Sequence, residues 1–208
     1  MRAPAGSETR REDLLALGIE LFTAHPYDEV SVEEIAVTAG ISKGLLYHYF
    51  PSKRDFYVAV IHAATGELRT LTQPDPALAP LEQLRQSLDA YLDYAEHHAE
   101  AYTTVLHGGI GRDREVRQIV DELRRLNVER VALGIASEMR PSLRTTLYGW
   151  TGFVEAVSLD WLAHRDLARD EVVTVAIQAL ACTLSAARDI DPELNLDLPL
   201  ATALEGLL

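Results

Sequence analysis

The side chains best suited to act on another molecule cluster between positions 42 and 53. Lys43 and Tyr47 stand four apart, as do Gly44 and His48. On a helix both pairs share one face with Ser42 and Leu45. An exposed face of Ser, Lys, Gly, Tyr and His has no packing rationale, but it suits contacts to phosphates and base edges in a DNA major groove. Leu46, Tyr49 and Phe50 fall on the opposite face and are expected to pack on the preceding helices. Lys53 follows in the first turn of the next predicted helix, whose free amide groups also favour a phosphate. No acidic residue lies between Glu34 and Asp55, while that window holds Lys43, Lys53 and Arg54, both lysines of the chain among them. Arg10 and Arg11, near the start of the chain, are placed to reach a DNA backbone.

Other chemistries find less support. In Glu96-His97-His98-Ala99-Glu100 the adjacent histidines point about 100° apart on a helix and do not converge on a metal. Gly108-Gly109-Ile110-Gly111 lacks the dinucleotide-binding spacing and follows no strand, so it reads as a helix-to-helix turn. Cys182 lies in an apolar stretch without a neighbouring base and is expected to be a small core residue. A single cysteine excludes an internal disulfide and a cysteine-rich zinc site. Glu155 and Asp160 interrupt an apolar helix, either as pocket carboxylates or facing solvent, with solvent favoured for Asp160. No converging acid, base or nucleophile set is visible, so the expectation is no enzyme, no metal and no cofactor.

The elements that must position these residues are helices. Apolar residues recur with a period near 3.6, and period-2 alternation is nearly absent. Leu14, Leu17, Leu21 and Phe22 form a stripe over residues 9–24, with Thr9-x-x-Glu12 in the form of a capping box. Ser31-x-x-Glu34 opens a short helix that Gly40 closes, with Ala36 small enough for close helix approach and Ile41 at the junction. A second short helix runs over 42–50 until Pro51. This pair has helix-turn-helix form. Ser52-x-x-Asp55 caps a fourth helix reaching toward Leu71. Three prolines in residues 73–80 mark a loop, and five more helices follow over 81–98, 99–107, 113–137, 142–164 and 170–189. The tail over 191–208 is broken by Pro192 and Pro199 and reads as a short docked helix or a loose end.

Composition bounds the rest. The chain has 208 residues, 48% hydrophobic and 25% charged, as in an ordinary globular protein. Its net charge of −13 argues, taken whole, against nucleic acid or an anionic membrane. Residues 1–60 carry 6 basic and 9 acidic side chains; the remainder carries 13 and 23, so most of the acidity lies elsewhere. Residues 35–54 hold three positive charges and no negative one. The first residues lack the apolar core of a signal peptide. The longest uncharged stretch, residues 172–187, is short of the roughly 20 that span a bilayer. A cytoplasmic location without a membrane partner is expected.

The run ALGIELFTAHPYDEVSVEEIA followed by AGISKGLLYHYFPSKRDF resembles the DNA-binding domain of the TetR family of transcriptional regulators. The resemblance covers about a quarter of the chain by motif; the later helices match in number and order. It implies an all-α fold of about nine helices, with a DNA-binding domain over 1–72 and an effector-binding and dimerisation domain over 73–208. By the same resemblance Ser42, Lys43, Gly44, Leu45 and His48 face base edges or nearby backbone. Tyr47 and Lys53 contact phosphate, and Ser31 caps the second helix near the backbone. Leu45 departs from the small polar residue common at that place. It can touch a thymine methyl but reads no hydrogen-bond pattern, or it simply lies on the surface.

The family's members are typically homodimers whose last two long helices form a four-helix interface, while the middle helices enclose a ligand cavity. Here residues 142–164 are apolar on more than one face, and 172–184 nearly all round, as a helix buried from several sides must be. Candidate effector contacts are Tyr91, Tyr94, Tyr102, His107, Trp150 and Phe153, which combine apolar bodies with, in most cases, polar tips. The implied function is a ligand-responsive regulator, most simply a repressor, with a palindromic DNA operator and a small hydrophobic effector as partners. The alternatives are a helical adaptor that has lost DNA binding and a small helical enzyme.

Overall fold

The computed structural model describes the backbone over residues 5–107 and 113–207 and the side chains over 8–106 and 113–207. Ten helices form among the described residues: α1 (Ala5–Ala24), α2 (Val32–Thr38), α3 (Lys43–Tyr49), α4 (Lys53–Leu71), α5 (Pro80–His97), α6 (Ala99–His107), α7 (Arg114–Leu133), α8 (Pro141–His164), α9 (Arg169–Ile190) and α10 (Pro199–Glu205). The all-α expectation holds. The predicted turn at 108–111 lies outside the described residues.

Packing divides the chain into two compact units. One comprises Met1–Leu68 and His98–Val120, the other Arg69–His97 and Asp121–Leu208. The expected functional boundary at 72/73 is a different kind of division, since compactness groups α6 and the first turns of α7 with the N-terminal helices.

In the first unit Phe56 is 1% exposed and sits against Phe22 and Phe50, with ring centroids 6.0 and 5.0 Å away. Phe22 also meets Tyr57 edge-on at 4.9 Å, a geometry that satisfies the ring quadrupoles. Ile35, Ala36, Leu46 and Val30 complete this core, so α2 and α3 are held by buried side chains on their inner faces. Ala36 and Ile41 take up the junction positions expected for them, buried and half-buried. Gly18 brings α1 against α4: a Cβ there would stand 2.4 Å from Val60 Cγ2 and 2.7 Å from Phe56 Cζ. Thr23 Oγ1 and His98 Nδ1, 2.8 Å apart, link α1 to the start of α6, so His98 has a side-chain partner within the fold.

The second unit is built on α8 packed along α9, with α5 and α10 against them. Leu143, Leu147, Leu180 and Ile177 are at most 1% exposed. Trp150 donates its indole N–H to Ala176 O at 2.8 Å, tying α8 to α9. Trp161 Nε1 donates to Leu167 O at 2.9 Å across the α8–α9 connection. The helix α9 has the length and apolarity to cross a bilayer, but eight of its residues are buried in this unit's core.

Three readings of the sequence need correction, while the tail takes the docked-helix form of its two expected alternatives. Helix α1 already runs from Ala5, so Thr9 lies inside it and does not mark its start. Helix α7 ends at Leu133 instead of continuing to 137: the Gly134 and Ile135 carbonyls accept Leu200 N at 3.0 Å and Leu198 N at 3.3 Å. Those bonds dock the tail, which forms α10 with Pro199 in its first turn and Leu200, Ala201 and Leu204 buried. Cys182 is exposed, not core, because it falls on the outer face of α9 with Val175 and Gln178.

Candidate nucleic-acid interface

One serine cap sets the start of each short helix. Glu34 N donates to Ser31 Oγ at 3.0 Å, and Ser31 N donates to Glu34 Oε2 at 3.4 Å, closing the predicted capping box on α2. Leu45 N donates to Ser42 Oγ at 3.2 Å, which makes Ser42 the N-cap of α3. Each serine hydroxyl thereby accepts from the backbone and keeps its own proton to donate outward. Between the helices Gly40 takes φ +63°, a left-handed conformation that other residues adopt only with strain. Ile41 N then donates to Ala36 O at 3.0 Å and closes the turn. The next cap is also as read: Asp55 N donates to Ser52 Oγ at 3.1 Å at the start of α4.

These constraints present one face of α3 outward. Ser42, Lys43, Gly44, Leu45, Tyr47 and His48 are all exposed, Leu45 at 39% and Tyr47 at 46%. Leu46 and Phe50 are each 3% exposed and Tyr49 is half-buried, so the inner face anchors the helix. Gly44 carries its own signal. A Cβ there would meet nothing nearer than Ser42 Oγ at 3.9 Å. Glycine inside a helix costs about 0.5–1 kcal/mol relative to alanine. No crowding within the fold demands it, whereas close approach of an external surface would.

The cations are less open than their types imply. Lys43 pairs with Glu33 of α2. Lys53, half-buried, donates from Nζ to Tyr27 O at 2.5 Å and lies 4.0 Å from the centre of the Tyr27 ring. Arg54 is held by Asp113 and Glu115. Those hydrogen bonds, Asp113's first, raise the Arg54 pKa further above its already high value, and Arg54 holds the Asp113 carboxyl below its ordinary range. Arg11 stacks 5.2 Å over the Phe50 ring. A window with three positive charges and no negative one in sequence thus has Glu33, Asp113 and Glu115 against it in space, besides the adjacent Asp55. The charged pairs were invisible to the linear reading because each joins separate elements. Nearby, burial and then Tyr27 push the Tyr57 phenol up to about 12, keeping it neutral.

The effector candidates lie on three helices, α5, α6 and α8. Tyr91 and Tyr94 on α5 are half-buried, and Tyr91 packs on the core that contains Trp150. Trp150 is 7% exposed and committed to Ala176, whereas Phe153, on the same helix, is 37% exposed. Tyr102 lies on α6 in the other unit; the His107 side chain lies outside the described residues. A groove of about 230 Å³ is lined by Ala181, Leu184, Ser185 and Arg188 of α9 with Leu204 and Glu205 of α10, and it includes none of the six. Glu155 is neither a free pocket carboxylate nor simply solvated. Arg124 grips it with two hydrogen bonds of 2.7 and 2.8 Å. Asp160, by contrast, is 75% exposed.

Known proteins align with both halves. Residues 14–60 match the family model described as bacterial regulatory proteins, tetR family, and residues 80–182 match that of the tetracyclin repressor-like C-terminal domain. Among curated relatives, the transcriptional activator FasR of Mycolicibacterium smegmatis is 31% identical over 106 residues, covering 47% of this chain and 46% of that protein. The transcriptional regulator AcuR of Cereibacter sphaeroides is 39% identical over 87 residues, 40% of each. The transcriptional repressor KstR2 of M. smegmatis is 34% identical over 100 residues, 47% of this chain and 49% of that one. The alignments therefore span somewhat less than half of these relatives. A tetR-family regulator from Streptomyces coelicolor superposes with TM-score 0.83 at 26% identity, covering 97% of this chain and 96% of that one.

Proposed function

The chain belongs to the TetR family of bacterial regulators, and on that premise we propose that it is a ligand-responsive, DNA-binding transcriptional regulator. The observation that carries this reading is the outward face of α3. It offers Ser42, Lys43, Gly44, Leu45, Tyr47 and His48 to solvent on a helix anchored by Leu46 and Phe50. In this proposal residues 1–72 are the reading head and 73–208 the effector-binding and dimerisation module. Lys43, Gly44, Leu45 and His48 approach base edges; Tyr47, Lys53 and the hydroxyls of Ser31 and Ser42 hold phosphate.

The active form is a homodimer joined through α8 and α9. Its two heads sit on half-sites of a palindromic operator about 34–36 Å apart. Support comes from the outer side of those helices. Tyr148 is 41% exposed, Phe153 37% and Val175 40%, and α9 carries no charge from Val172 to Ala187. The regulator works in the cytoplasm as a repressor. A small hydrophobic effector binds the arrangement that cannot span the operator and so shifts the population away from DNA. Its contacts are sought among Tyr91, Tyr94, Trp150 and Phe153, with Tyr102 and His107 assayed separately.

A gel shift on the duplex upstream of the protein's own gene tests the reading. Specific retardation, lost on adding a fatty acyl or aromatic effector, is the expected result. Equal affinity for that duplex and scrambled DNA at every salt concentration sinks it and favours an adaptor role.

A further inference from the structure

An acidic side chain stands on the surface that this reading turns toward DNA. Glu33 lies in the first turn of α2, and its Oε1 pairs with Nζ of Lys43, the first residue of α3. Both side chains are well exposed, Lys43 at 50% and Glu33 at 62%. The two glutamates of that first turn divide the work. Glu34 closes the capping box with Ser31, so capping makes no demand on Glu33. An exposed ion pair adds little stability. A carboxylate beside phosphates is also repelled by them. The first turn of a helix favours a carboxylate by about 0.3–1 kcal/mol, which explains an acidic residue in this turn but not its pairing with Lys43 across to α3.

The chemistry of lysine supplies a reason. Its ammonium is a compact charge on a flexible four-carbon stem, and left to itself it settles on the nearest phosphate. That contact carries no sequence information. A carboxylate that takes one of the three N–H groups leaves two, and two donors suit the O6 and N7 acceptors of guanine. Drawing Lys43 away to the backbone would also leave Glu33 unpaired next to phosphates. The penalty falls on phosphate-bound poses, which supply essentially all of non-specific binding.

Resting on the regulator reading above, we propose that Glu33 is a specificity-determining positioning residue. It holds the Lys43 ammonium on the outward face of α3, directed at a base edge and withheld from the phosphate backbone. Glu33 reads no base itself. It raises the ratio of specific to non-specific affinity by making the non-specific complex worse.

The test compares two duplexes in the full-length protein: the one that the wild type selects from a randomised pool, and a scrambled duplex of the same composition. Wild-type discrimination between them tests the regulator reading; its change on substitution tests the role of Glu33. Glu33→Gln should bind the scrambled duplex about fivefold or more tighter, with a salt slope steeper by about 0.9, as one more cation meets phosphate. Affinity for the selected duplex should change less than about twofold, so discrimination falls about fivefold. In a Lys43→Gln background, Glu33→Gln should change discrimination no further, which a general charge effect would not reproduce. Glu29→Gln, an equal change of charge at another exposed position of the same unit, should leave the ratio as in the wild type. Unchanged discrimination in Glu33→Gln overturns the proposal. So does an equal loss in Glu29→Gln, or an effect of Glu33→Gln that survives without Lys43.

Discussion

Arg54 grips Asp113 through two parallel hydrogen bonds, Nε to Oδ2 at 2.6 Å and Nη2 to Oδ1 at 2.8 Å. The two residues are 59 positions apart, and they join the first turn of α4 to the residue just before α7. Asp113 also accepts Glu115 N at 2.9 Å, so the same carboxylate steadies the α7 N-terminus. Because Arg54 lowers the Asp113 pKa from 3.8, the folded protein binds that proton less readily than the unfolded chain. The stabilisation from this group is full above the unfolded value and is lost as pH falls through the folded one. Asp113→Asn keeps a competent cap and removes the charge. Its melting temperature should lie below wild type at pH 7, and the difference should shrink steadily below about pH 4. A difference that persists undiminished at pH 2 would show that the ion pair is not its source.

The approach of α1 to α4 leaves no room at Gly18. A methyl group there would lie 2.4 Å from Val60 Cγ2 and 2.7 Å from Phe56 Cζ, and Phe56 is pinned by Phe22 and Phe50. Gly18→Ala therefore has to move a buried aromatic ring, which outweighs the gain in helix propensity. Overpacking of this kind costs about 1–3 kcal/mol. Chemical denaturation should report a loss of that size with the helical signal of the folded state retained. A variant as stable as the wild type would mean that the two helices part without cost.

How far the sequence spoke depended on whether a feature was local. The caps at Ser31 and Ser52, and the inner and outer faces of α3, follow from spacings of three and four, and they stand as read. Thr9-x-x-Glu12 has the same local form, yet the helix runs through it, since a cap signal cannot tell a start from an interior turn. Cys182 was misjudged for a different reason. With α9 uncharged from Val172 to Ala187, hydropathy marks no outer face, and only packing with α8 and α5 decides it. Glu33 with Lys43, and Asp113 with Arg54, join separate elements, so the apparent basic footprint looked freer than it is. The end of α7 was settled by the tail, through bonds from residues more than sixty positions later.

Lys53 and His48 should separate affinity from sequence choice. Lys53 is half-buried and bonded to Tyr27 O, which fixes its ammonium at the α4 N-terminus with donors left over. His48 is exposed on α3 and lies edge-on to Tyr49 at 5.6 Å between ring centroids. Lys53→Ala should weaken binding to all duplexes alike and reduce the salt slope by about one. His48→Ala should instead relax the preference at one or two base pairs, each by about 1–3 kcal/mol, in a binding assay over single-base variants of the operator. Uniform weakening by both would remove the distinction drawn between them.

The outer side of α8 and α9 should hold two copies together. Val175, 40% exposed, lies in the uncharged stretch of α9, and Cys182 is exposed two turns further on the same face. An arginine at Val175 would need to be desolvated in any tight interface there, and a single buried unpaired charge is strongly unfavourable. Val175→Arg should therefore sediment as a monomer where the wild type sediments as a dimer. Its operator affinity should fall about 100-fold or more, because the second head no longer binds as an intramolecular event. The Cys182 thiol gives an independent readout: a thiol reagent should label it slowly in the wild type and quickly in Val175→Arg. Phe153 then becomes decidable. If it belongs to the interface, Phe153→Asp also yields monomers. If it belongs to the effector site, Phe153→Asp remains a dimer that binds operator and ignores the effector. Rapid labelling of wild-type Cys182, together with a dimeric Val175→Arg, would remove α9 from the interface.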